Sequence, residues 1–134
     1  MELSEPGEFR VLRLADVPVL VCPPEVDIAS NGAFEAALAF AEQAAPTVVV
    51  DLTGTTFCDC SGLRPLVPAQ QRVRARGGLI RLATSSAVIG LLLTVIGLEG
   101  GSPRHRSVAD AVRATLAGRN GSVEALLETE PRQQ

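Results

Sequence analysis

The sequence predicts an α/β domain: a mostly parallel sheet of four to five strands, an antiparallel strand at one edge, and about four helices. Three observations carry this. Runs rich in β-branched residues alternate with stretches of helical periodicity, the pattern of a sheet covered by helices. The run Thr47-Val48-Val49-Val50-Asp51-Leu52 shows no polar alternation, as suits a strand covered on both faces inside a parallel sheet. Near the start, an alternating stretch turns back on itself within a few residues, which adds a hairpin and hence an antiparallel edge.

Each element has its own justification. Phe9–Leu14 alternates apolar and basic residues, giving a strand with one wet face. Ala15-Asp16 is the turn, Val19–Cys22 the returning strand, and Pro23-Pro24 its end. A helix follows from Ser30 or Asn31, both good N-caps, to Ala45. Phe34, Ala37, Leu38 and Ala41 share one face, and Pro46 closes it. After the Thr47–Leu52 strand, residues 53–61 read as a loop and the next helix ends at Arg76, before the stop signal Gly77-Gly78. Pro65 and Pro68 fall inside that helix, where an interior proline costs about 3 kcal/mol. The alternative is a helix starting at Pro65 or Pro68 behind an irregular first turn. Leu79–Ala83 is a strand, Val88–Ile96 an apolar helix ended by Gly97, and Arg104–Ser107 a polar extended piece. Val108–Ala117 makes a short helix. The expected organisation is one domain over residues 1–117 and a flexible polar tail over 118–134, with a weak helix at Val123–Leu127.

Composition narrows the function. The 134 residues are 46% hydrophobic but only 3% aromatic, so the core is aliphatic. All twelve basic residues are arginine and His105 is the single histidine. Lysine-based chemistry is excluded, and a histidine-rich metal site with it. A net charge of −3, without a basic face or stacking aromatics, argues against nucleic acid as the main partner. Three cysteines without framework spacing suit a reducing compartment. The acidic start Met1-Glu2-Leu3-Ser4-Glu5 lacks a signal-peptide pattern, and no apolar stretch is long enough to cross a bilayer. A cytoplasmic location without membrane insertion is expected.

The informative segment is Phe57-Cys58-Asp59-Cys60-Ser61-Gly62-Leu63, where a strand and turn lead into a helix. Ser61 stands where that helix opens. Its hydroxyl suits an N-cap, and equally a phosphoacceptor on a loop at the carboxyl end of a parallel strand. With Glu25-Val26-Asp27, Val48–Leu52, Arg74–Leu82 and Ile96-Gly97-Leu98 in this order, the chain resembles the STAS family over about Phe9–Leu116, and within it the free-standing anti-sigma factor antagonists of bacteria. The resemblance implies a non-enzymatic binding protein without cofactor or metal. Its partner is an anti-sigma factor with serine-kinase activity; phosphorylation at Ser61 releases that partner and a phosphatase restores binding. By position, Asp27, Asp59, Cys60, Gly62 and Arg64 fall on the partner-binding surface. Cys60 stands where the family usually has the first of two hydroxyl residues, and Pro24 replaces the glycine before Glu25.

Other readings of the same residues stay open. The chain also suits a STAS scaffold or adaptor subunit of a signalling or transport assembly, never phosphorylated. Cys58-Asp59-Cys60 offers too few ligands for a closed zinc site, and Cys60 as nucleophile has no base nearby; as an exposed thiol near a helix N-terminus it suits redox modulation of the switch. Arg64, Arg72, Arg74 and Arg76 form either a solvated face or a basic face for an acidic partner. The apolar helix with Leu91, Leu92, Leu93, Val95 and Ile96 is core, or core with an exposed partner patch.

Overall fold

The Ala15-Asp16 turn sets one edge of the sheet. Both residues have positive φ (50° and 67°), as a two-residue hairpin turn requires. The computed structural model describes residues 9–98 and 100–128. In it β1 (Arg10–Leu14) runs antiparallel to β2 (Val17–Val21), with Arg10 opposite Val21 and Leu14 opposite Val17. The sheet continues in parallel through β4 (Val48–Asp51), β6 (Ile80–Ala83) and β7 (Arg104–His105), in the order β1-β2-β4-β6-β7. The predicted α/β architecture with its antiparallel edge strand is therefore present. Two short strands, β3 (Glu25–Val26) and β5 (Phe57–Cys58), pair in parallel as a separate small sheet inside segments that read as loops.

Val48, Val49 and Val50 are each 0% exposed, so both faces of β4 are covered as the unbroken valine run predicts. On one face Leu20, Val48, Val50, Ile80 and Leu82 pack against three helices. These are α1 (Asn31–Glu42) through Phe34 and Leu38, α3 (Leu66–Ala75) through Leu66 and Val73, and α4 (Ala87–Val95) through Ile89 and Leu93. On the other face Val17, Val19 and Val49 meet Ala111 and Val112 of α5 (Val108–Glu128). Phe9 stacks on Phe34 with ring centroids 4.6 Å apart, tying the chain before β1 to α1. Glu42, buried at the end of α1, holds Arg72 of α3 through two hydrogen bonds of 2.9 and 2.7 Å.

The two prolines resolve without a kinked helix. The stretch expected as one helix is two: α2 (Cys60–Leu63), a single turn, and α3. Pro65 is the N-cap of α3 and Pro68 its third residue. The first-turn N–H groups of a helix have no intrahelical partner, so Pro68 forfeits no bond. Two boundaries are corrected. α1 ends at Glu42, not Ala45, with residues 43–44 in a turn. The last helix does not stop at Ala117 but continues as one element through Gly118 to Glu128. A glycine inside a helix costs about 1 kcal/mol relative to alanine, which discourages a helix without forbidding it.

Candidate functional site

The loop after β4 is built from local turns. Asp51 accepts from the Thr53 backbone N–H at 2.9 Å and from its hydroxyl at 2.5 Å, turning the chain as it leaves the sheet. Thr55 and Thr56 then fasten the loop to the segment after β2. The Thr55 hydroxyl donates to the Pro23 carbonyl (2.9 Å), and the Thr56 and Phe57 N–H groups donate to the Pro24 carbonyl (2.8 and 3.1 Å). This latch sets up the β3–β5 pairing. It brings Asp27, at the end of β3, beside α2.

Asp59, not Ser61, caps α2: its Oδ1 accepts from the Gly62 N–H at 2.8 Å. The expectation that Ser61 caps is corrected, because the extended backbone at Asp59 (φ −130°) already places a short acceptor one residue before the turn. Ser61 falls at the second helical position, half-buried, and its hydroxyl takes part in no hydrogen bond among the described residues. Its carbonyl, by contrast, is held by Asn31 Nδ2 at 3.0 Å, a tie from the start of α1. Asp27 is also engaged locally. It caps the 3-10 turn Ile28–Ser30 by accepting from the Ala29 N–H (3.0 Å), while Ser30 Oγ accepts from the Asp27 N–H (3.1 Å). Asp27 and Asp59 therefore each hold backbone with their carboxylates.

Gly62 is buried and fixes the seat of α2. A Cβ there would lie 2.3 Å from the Val26 carbonyl oxygen and 2.7 Å from the Asp27 Cα. Only glycine lets the turn lie directly on the end of β3. Asp27, Asp59, Cys60, Ser61 and Gly62 are thus brought together, whereas Arg64 stands exposed at the far end of the turn. Around the cluster lie exposed apolar side chains: Ile28 (69%) on the 3-10 turn and Phe57 (55%) on β5. Along α4, Val88, Leu91 and Val95 are exposed at helical spacing. Of these features, the Asn31 tie and the Thr55–Thr56 latch have no sequence signal, since each joins residues about thirty apart.

The thiols divide by environment. Burial, then Asp51 and Cys58, push the Cys22 thiol well above its ordinary range. Burial, then Asp59 and Cys60, raise Cys58, which leans on the core while part-exposed. Among the described residues no cluster of three or more His, Cys, Asp or Glu side chains is placed to hold a metal ion.

Fold and site together define a small α/β domain whose distinctive chemistry sits on a loop and a single helical turn at the carboxyl ends of the strands. Residues 12–117 match the family described as the Mlab, STAS domain, and the chain belongs to the STAS domain family. No curated protein matches it in sequence. Among solved structures, it resembles an anti-sigma-factor antagonist (STAS) domain protein from Planctomyces limnophilus, with TM-score 0.72 and 24% identity over 81% of this chain and 98% of the other. It also resembles the anti-sigma factor antagonist SpoIIAA in its unphosphorylated form (TM-score 0.65, 16% identity, 82% and 98% covered). SpoIIAA of Bacillus is known in a phosphorylated form as well. A third match is the murine solute carrier 26 family member A9 anion transporter (TM-score 0.63, 22% identity), where 79% of this chain corresponds to only 18% of that one. At these identities the likeness is one of fold.

Proposed function

We propose that this protein is an anti-sigma factor antagonist: a binding protein without catalysis of its own, acting in the cytoplasm. It engages an anti-sigma factor with serine-kinase activity, and phosphorylation at Ser61 ends the engagement until a phosphatase removes the phosphate. The observation that carries the reading is the Ser61 hydroxyl, unpartnered among the described residues on a half-exposed turn at the carboxyl end of the sheet, between Asp27 and Asp59. Phosphate would add about −1.5 to −2 charges there. The neighbouring carboxylates repel it, and α2 is a single turn whose Gly62 N–H already serves Asp59, so its dipole offers little compensation. The phosphorylated turn must rearrange or repel its partner. The docking ground is apolar, through Ile28 and Phe57, with Arg64 as a cationic rim.

The test is direct. Partners are captured from the native cell with the parent chain, and Ser61→Ala and Ser61→Asp are compared for binding to the captured kinase. Ser61→Ala should bind constitutively and Ser61→Asp poorly; equal binding by both refutes the switch. A second reading is favoured by Cys60, which leaves Ser61 as the one hydroxyl of the turn, and by the likeness of this fold to a minor part of a transporter chain. On that reading the domain is a scaffold subunit, and Ser61 carries no phosphate in protein purified from its own cell.

A further inference from the structure

At the opposite end of the strands from Ser61, β6 directs Arg81 under α5. Its Nε is buried and has no hydrogen-bond partner among the described residues. Its Nη1 lies 3.2 Å from the ring Nε2 of His105, a neutral acceptor rather than a counter-ion. No carboxylate of the described residues is within ion-pair distance of Arg81; Asp110, close enough to His105 to oppose the lowering of its pKa, is paired with Arg113. A part-buried guanidinium with an unsatisfied donor is costly unless an anion meets it. Burial indeed lowers the Arg81 pKa, and burial followed by Arg81, with Asp110 opposing, lowers that of His105, which favours the uncharged imidazole.

Beside Arg81 opens a cavity of about 330 Å³, lined by Arg81, Arg119, Thr47, Thr115, Leu79 and Pro46 among others. That is the lower end of the range for small-molecule sites. Arg119 supplies a second guanidinium on its rim, exposed and outside both ion pairs. Thr47 Oγ1 accepts from the Leu79 N–H at 3.1 Å, which leaves its own proton to donate. Leu79 and Pro46 give an apolar wall. Two guanidinium forks and a hydroxyl around one recess match the several acceptor oxygens of a tetrahedral anion.

We propose that this cavity is a binding site for a phosphate-type oxyanion, borne by a small phosphomonoester, with Arg81 and Arg119 as its cationic contacts and Thr47 as a neutral donor. The site lies apart from the Ser61 turn and does not depend on the partner switch. The test uses the full chain, titrated calorimetrically with inorganic phosphate and with glycerol 3-phosphate against chloride at equal ionic strength. Both probes should bind the parent; tighter binding of the ester assigns the site to phosphomonoesters, equal binding to the free ion. Arg81→Met and Arg119→Met should each weaken binding about tenfold or more, as loss of a charged hydrogen bond does. Without phosphate, Arg81→Met should melt no lower than the parent, because it removes a part-buried cation with an unsatisfied donor and no counter-ion. Absence of binding by either probe, or unchanged binding in Arg119→Met, overturns the proposal. Arg119 is exposed, so that variant decides even if Arg81→Met fails to fold.

Discussion

Replacing Gly62 by alanine tests whether the turn that carries Ser61 is as rigidly seated as its geometry implies. The added Cβ would meet the Val26 carbonyl oxygen at 2.3 Å, where real Cβ contacts begin near 3.0 Å, so α2 must retreat by at least the difference of 0.7 Å. The obstruction is backbone and cannot rotate away. That retreat stretches the Asp59 N–H to Val26 carbonyl bond, already 3.4 Å, and strains the Asn31 hold on the Ser61 carbonyl. Overpacking costs about 1–3 kcal/mol and each lost hydrogen bond about 0.5–1.5, offset by about 1 from the better helix propensity of alanine. The net loss is about 2 kcal/mol, which lowers Tm by about 5–10 °C in a domain of this size. With no Trp or Tyr in the chain, the measurement is urea and thermal unfolding followed by far-ultraviolet circular dichroism. Gly32→Ala on α1 is the control: nothing lies within 4 Å of its Cβ position, and it should stabilise by about 0.5–1 kcal/mol. If Gly62→Ala stabilises like Gly32→Ala, the seat is soft and the reasoning fails.

Two further outcomes follow from burial. His105 has its folded-state pKa lowered by burial and Arg81, with Asp110 opposing, so the fold prefers the neutral ring. Its contribution to stability is complete above the unfolded value near 6.5 and is lost as pH falls below it. The drop in Tm between about pH 7.5 and about pH 5 should thus be smaller in His105→Gln than in the parent, and an equal drop refutes the assignment. With iodoacetamide on the folded protein, Cys22 should stay unmodified and Cys58 should react more slowly than Cys60, because burial keeps the first two as thiols. Mass mapping that finds Cys22 alkylated as fast as Cys60 contradicts the described core.

Much of this fold is legible because its signals are local. The valine run of β4, the Ala15-Asp16 turn and the apolar spacing of α1 each encode their element within a few residues. β3 and β5 escape such reading because two-residue strands have no period; their pairing rests on carbonyls some thirty residues away. The site divides in the same way. Asp27, Asp59, Ser61 and Gly62 are recognisable as a cluster, but Asp59 and Ser61 are both good caps, and only the backbone angles choose between them. The polar composition from Gly118 onward reads as a tail, yet the helix runs through it. The role of Arg81 was illegible for another reason: a lone arginine in a strand resembles any wet-face residue until α5 closes over it.

The break at Pro65 has a consequence for how the molecule breathes. No uninterrupted ladder of hydrogen bonds joins α2 to α3, so the Ser61 turn is tied to the domain by Asp59, Gly62, Asn31 and the buried Leu63 rather than by helix continuity. Its amides should exchange with solvent through local openings, while those of α3, anchored by Leu66 and Val73 in the core, wait for global unfolding. The part of the chain that would receive a covalent signal can therefore fray at its backbone while Leu63 keeps it anchored to the core beneath.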